Sequence, residues 1–159
     1  MDLPDGLQRL RVRNLLTYKS RHESLGAWAL DELVGQYVNY RKLTRPDADA
    51  ARSAGKTQPR LHPQAGFRLY SLATREPRCS PRRADVRPTA QQGVFDVRGG
   101  MRDIRLILLS RIAKHQRNAP WELFSFDLDR IRQGARHIAR DTLAPRRCFT
   151  SAIFATRWS

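Results

Sequence analysis

The chain has 159 residues, with 30 Lys and Arg against 15 Asp and Glu for a formal net charge of +15, and 40% of its residues are hydrophobic. That length suits one domain, at roughly 100–200 residues per domain, with a core large enough to need no metal or disulfide staple. The charge argues against basic partners and favours polyanions, although nearly all of it is arginine, a bias that base composition alone also produces.

Residues 9–19 alternate and predict a strand. Leu10, Val12, Asn14, Leu16 and Tyr18 fall on one face, and Arg11, Arg13, Leu15, Thr17 and Lys19 on the other. A polar break over 20–24 follows, in which Ser24 is suited to cap a helix. In that helix Leu30, Leu33, Val34, Tyr37 and Val38 recur at helical spacing, an apolar stripe that faces a core. Asp31, Glu32, Gln36 and Asn39 fall off the stripe, and Trp28 is expected to anchor the first turn. Residues 44–66, with Pro46, Pro59, Pro63 and Gly55, have no period and predict a long loop.

Residues 67–74 predict a second strand, and 76–92, rich in proline, a second loop. Val94 to Arg98 reads as a short strand, with Gly99-Gly100 as the turn of a hairpin into 103–112. That last segment is apolar on both faces, as in the middle of a covered sheet. Pro120 suits the first turn of a short helix in which Trp121, Leu123, Phe124 and Phe126 supply core-sized bulk. A final helix over about 127–140 has Leu128, Ile131, Ala135, Ile138 and Ala139 as its predicted buried stripe. Asp127 and Asp129 favour its N-terminus, and Arg130, Arg132, Arg136, His137 and Arg140 form a basic outer face.

The expected fold is therefore α/β (α+β), a mixed sheet of about four strands flanked by helices. A strand–helix unit occupies 1–43, a loop 44–66, further strands and C-terminal helices of the same domain 67–142, and a basic tail 143–159. The first ten residues lack the apolar core of a signal peptide. The longest apolar run, Ile104 to Leu109, is broken by Arg105 and too short to cross a bilayer. These features predict a cytoplasmic protein with no membrane partner, and with Cys79 and Cys148 as reduced thiols. Neither cysteine has a neighbour at metal-ligand spacing, and the four histidines are scattered, so zinc is not expected. The sequence has no P-loop, no dinucleotide fingerprint, no metalloprotease helix and no nucleophile elbow. No small-molecule cofactor is expected on those grounds.

The segment Asn14-Leu15-Leu16-Thr17-Tyr18-Lys19-Ser20, followed by a helix ending Gly35-Gln36-Tyr37-Val38-Asn39-Tyr40, resembles the recombination-promoting nuclease / putative transposase family. That family belongs to the PD-(D/E)XK nuclease superfamily. The likeness covers about residues 9–43 and implies an incomplete restriction-endonuclease-like core with Lys19 in a catalytic position. In such nucleases an acid two residues before the lysine helps hold Mg²⁺, and the lysine steadies charge on the scissile phosphate. Here the acid position is Thr17, and a neutral hydroxyl anchors Mg²⁺ poorly. The stretch before residue 14 is also too short to supply the family's upstream aspartate strand. Glu32, with Gln36 one turn on, is the candidate for a migrated acid, against the plainer reading of solvated helix residues.

The resemblance thus implies a degenerate nuclease-like protein, inactive alone, with Mg²⁺ as its cofactor if it acts at all. Two alternatives stand beside it. One is a non-catalytic module that meets the phosphate backbone of DNA or another nucleic acid through Arg11, Arg13, Arg132, Arg136 and Arg140. The other is a fragment of a longer protein.

Overall fold

The computed structural model describes residues 2–23, 25–43, 61–76, 85–99 and 102–142. Ser24, the loop over 44–60, most of the proline-rich stretch over 77–84, Gly100, both cysteines and the tail over 143–159 lie outside the described residues. Five strands form one mixed sheet: β1 (Arg13–Lys19), β2 (Phe67–Ala73), β3 (Asp85–Pro88), β4 (Val94–Gly99) and β5 (Arg102–Leu108). Their order across the sheet is β1-β2-β5-β4-β3. β1, β2 and β5 run parallel, and β4 and β3 continue the sheet antiparallel. Three helices flank it: α1 (Ala27–Leu43), α2 (Ala119–Glu122) and α3 (Leu128–Thr142). The α+β class is as expected, with one strand more.

Parallel neighbours need a crossover between them, and α1 supplies the one from β1 to β2. It covers one face of the sheet. Ala29, Leu33 and Tyr37 are buried there against Leu15, Phe67, Leu69, Val97, Ile104, Leu106 and Leu108, with Leu30, Val34 and Val38 packed at the margin. The predicted stripe is therefore the packing face of the helix. On the other face Tyr70, Leu72, Ile107, Leu109, Ile112 and Trp121 form a second core, with Leu16 and Tyr18 against it. β5, central and apolar on both sides, separates the two cores.

The short segment before β1 crosses this second face. Asp5 is 2% exposed. Its carboxylate accepts hydrogen bonds from Asn118 Nδ2 at 2.7 Å and Gln91 Nε2 at 3.1 Å, and lies 2.9 Å from Arg117. Its backbone N–H donates to Asn118 Oδ1, and its carbonyl accepts from Trp121 Nε1. Gly6 lies over Ile107, and Tyr70 Oη donates to the carbonyl of Arg9 at 3.4 Å. These contacts stitch residues 4–9 to the sheet and to α2.

Several local expectations are corrected. The first strand begins at Arg13, not at residue 9, since residues 9–12 leave the sheet to cross its face. Trp28 is 82% exposed and anchors nothing in the first turn of α1. β3 falls inside the stretch read as loop. It is a short edge strand with every residue exposed and Pro88 at its end, where a missing N–H does no harm. Of the bulky residues around α2, Trp121 is buried, while Leu123, Phe124 and Phe126 stay exposed.

The predicted buried stripe of α3 is also not the buried one. Leu128 is 66% exposed, Ala135 and Ala139 are exposed, and Gly134 is the position that packs. A Cβ there would stand 2.8 Å from the carbonyl oxygen of Ala119 and 2.9 Å from Glu122 Cβ, so the helix docks through close backbone approach. Arg130, placed on the outer face by periodicity, turns inward and donates to the carbonyls of Leu109 and Ile112.

Candidate functional site

Strand alternation decides which side chains reach the face opposite α1. In β2 these are Arg68, Tyr70 and Leu72; in β5, Asp103, Arg105 and Ile107; in β4, Asp96 and Arg98. Toward the C-terminal ends of β2 and β5 the set is apolar and lies beneath the crossing segment and Trp121. Toward their N-terminal ends it is charged. There an open concavity of about 470 Å³ is lined by Arg9 and Arg11 from the crossing segment, Arg68, Arg98, Arg102 and Arg105 from the strands, and Asp96 and Asp103. Arg102 belongs to the α1 side of its strand, where its guanidinium stands 4.8 Å from the Tyr37 ring centroid and donates to Gln64, so five guanidinium groups are left with two carboxylates.

The two carboxylates do not satisfy these cations equally. Asp96 takes Arg105 in a fork, Nε to Oδ1 at 2.8 Å and Nη2 to Oδ2 at 3.0 Å, and Arg105 has only 8% of its side chain exposed. Arg68 shares the same carboxylate at a looser 3.6 Å. Asp103 and Arg98 are 3.9 Å apart and largely solvated. Arg9 and Arg11 have no carboxylate partner among the described residues. Burial, followed by the neighbouring Arg105, pulls the Arg68 pKa down, with Arg11 acting in the same sense. Arg68 and Arg105 therefore share a single aspartate. Burial pushes the Tyr70 pKa up, although Arg68, Arg105 and Arg11 oppose the shift.

Of the expected nucleic-acid contacts, Arg11 lines this concavity. Arg13 points to the opposite face, where its guanidinium stands 5.7 Å from the Phe67 ring centroid and meets His62 Nε2 at 3.1 Å. Arg132, Arg136 and Arg140 are exposed on α3 and line no part of the concavity. Arg132 is 3.6 Å from Asp129. Arg68, Arg98, Arg102 and Arg105 were not picked out from the sequence. Their signal was present nonetheless: an arginine inside an otherwise apolar strand needs a partner or an opening, and Arg105 interrupts the longest apolar run of the chain.

The expected catalytic set lies at the other end of the strands. Lys19 closes β1, and its Nζ donates to Glu32 Oε2 of α1 at 3.3 Å. The lysine side chain is 17% exposed and the carboxylate 40%. The two candidates therefore do meet, but as each other's counter-ion. Gln36, half-buried one turn along α1, bonds to neither among the described residues.

These residues do not fit a Mg²⁺ site. That ion takes carboxylates with waters in near-octahedral order. Here one carboxylate is committed to an ammonium, Thr17 is neutral, and Glu23 is turned to the backbone N–H of Ser20. Among the described residues no three His, Cys, Asp or Glu side chains gather as ligands. Nor, among them, is any helix long and apolar enough to cross a membrane. No family model, curated protein or solved structure matches the chain.

Proposed function

We propose that the chain is a non-catalytic module that binds the phosphate backbone of nucleic acid through the arginine concavity beside β2 and β5. One observation carries this reading: Arg68 and Arg105 share one aspartate, in an opening that Arg9 and Arg11 also line. Like charges held this close store repulsion that an incoming phosphate relieves, and arginine offers it a fork of donors. The net charge of +15 adds long-range attraction for any polyanion.

The test is DNA and RNA affinity as a function of salt. Each phosphate contact contributes a log–log slope of about −0.9 on duplex DNA. Arg9→Gln with Arg11→Gln removes two exposed cations that have no carboxylate partner among the described residues, without touching the core, and should flatten the slope by up to about 1.8. Affinity indifferent to salt, or unchanged in this variant, removes the reading.

A second reading, a degenerate nuclease without activity of its own, is favoured by the meeting of Lys19 with Glu32. It expects no nicking of supercoiled plasmid with Mg²⁺ or Mn²⁺. Nicking that disappears in Lys19→Ala would overturn both readings in favour of an active nuclease.

A further inference from the structure

A second cluster sits on the same sheet face at the opposite ends of the strands. Tyr18 and Phe124 have ring centroids 5.4 Å apart, and Tyr18 Oη donates to the Phe124 carbonyl at 3.1 Å. The guanidinium of Arg21 stands 5.7 Å from the Phe126 ring centroid. Phe124 is 36% exposed and Phe126 52%, with Leu123 and Leu128 exposed beside them. Two phenylalanines in contact with solvent, one joined to a tyrosine and one to an arginine, are unusual in a chain with only 8% aromatic residues.

The strand register relates this cluster to the concavity. Asn14 pairs with Arg68, and Tyr18 with Leu72, so Tyr18 and Arg68 share a face and lie four residues apart along the strands. At about 3.3 Å per residue that is about 13 Å, a reach of a few nucleotides.

From this placement we infer that the nucleic acid bound is single-stranded, its phosphates held in the arginine concavity and its unpaired bases stacked on Phe124 and Phe126. This rests on the phosphate-binding reading and narrows it. Bases in a duplex keep their faces against one another and cannot cover a protein ring, whereas a single strand offers every base for stacking without regard to sequence. Arg21 over Phe126 supplies a cation at the step itself. Of the carboxylates close by, Glu23 is engaged by the backbone N–H of Ser20 at 3.1 Å, and Asp127, next to Phe126, accepts from the backbone N–H of Asp129 at 2.9 Å.

The experiment compares the full chain with Phe124→Leu/Phe126→Leu, which keeps apolar bulk and removes both ring faces. Binding is read for a single-stranded oligothymidylate, the same length of oligouridylate and a blunt DNA duplex. A strand carrying 2-aminopurine reports stacking by fluorescence quenching. The wild type should prefer both single strands to the duplex. The double variant should lose roughly 10-fold on single strands, in line with the stacking contribution per base, lose the quenching, and leave duplex affinity and its salt slope unchanged. Equal loss on duplex and single strand, or retained quenching, overturns the stacking inference while phosphate binding stands. Absence of salt-dependent binding to all three in the wild type overturns the phosphate reading beneath it.

Discussion

Asp5→Ala tests whether the crossing segment is held as the structure indicates. The carboxylate is buried and serves four donors, Gln8 only at a marginal 3.5 Å, and each of the three closer ones loses something different. Asn118 is fully buried, so its amide would be left without an acceptor on that side, a loss of about 1–3 kcal/mol. Gln91 is half-buried and recovers part of its bond from water, which leaves about 0.5–1 kcal/mol. Arg117 has 38% of its side chain exposed, so its share is near that of a surface pair, about 0.2–1 kcal/mol. The sum centres on about 3 kcal/mol. For a chain of this size that corresponds to a fall of about 6–12 °C in Tm. Urea and thermal unfolding followed by circular dichroism measure it. Because residues 4–9 also carry Arg9 to the concavity, the variant should weaken nucleic-acid binding at temperatures where it remains folded. Asp5→Asn, which retains an acceptor for Asn118, should fall between the two. A Tm within about 2 °C of wild type, some half a kcal/mol at this chain length, would refute the account.

Three further outcomes follow from single positions. The Glu122 carboxylate is 1% exposed and neither oxygen meets a donor among the described residues, so Glu122→Met should raise stability by about 1–3 kcal/mol in urea titration; a loss would show that the carboxyl has a partner. Gly93 has φ +76, and a Cβ there would lie 2.7 Å from the backbone nitrogen of Ile112. Gly93→Ala should therefore cost at least about 2 kcal/mol, read by the same unfolding curves. Burial raises the pKa of Tyr18 and Tyr70, with Glu23 adding to the rise at Tyr18. Folding then favours the neutral phenols: their contribution is full below the ordinary value of 10.0 and is lost as pH climbs through the folded values. Tm should fall above that pH, less steeply in Tyr70→Phe, while ultraviolet titration of tyrosinate reports the late ionisation.

Periodicity was a good guide wherever a segment buries one face or both. The stripe of α1 from Leu30 to Val38 and the doubly apolar β5 were both legible, because burial writes itself as a repeat of 3.6 or 2 residues. It misled where contact is made without apolar side chains. α3 packs through Gly134 and through Arg130 on two carbonyls, with Ile131 and Ile138 half-buried beside Gly134, while Leu128, Ala135 and Ala139 of the expected stripe stay exposed. β3 was hidden because an exposed edge strand ending in proline carries no alternation to detect. The concavity was missed for a related reason. It is assembled from residues 9–11, 64–69 and 96–105, whose proximity depends on β5 inserting between β2 and β4. Lys19 and Glu32, offered by the sequence as catalytic residues, meet in the fold as mutual counter-ions.

The position of β5 also bears on how the chain assembles. β1 and β2 are made early, yet β2 must leave one edge vacant until β5 is synthesised, after β3 and β4 have passed outward to the far side. The β4–β5 hairpin is local and closes fast, while the parallel seam between β2 and β5 joins distant segments and closes slowly. Residues 102–108 are thus the step at which two half-sheets become one. A lesion there would leave both halves with sticky, unpaired margins on the ribosome, and aggregation, more than loss of binding, would be its first visible effect.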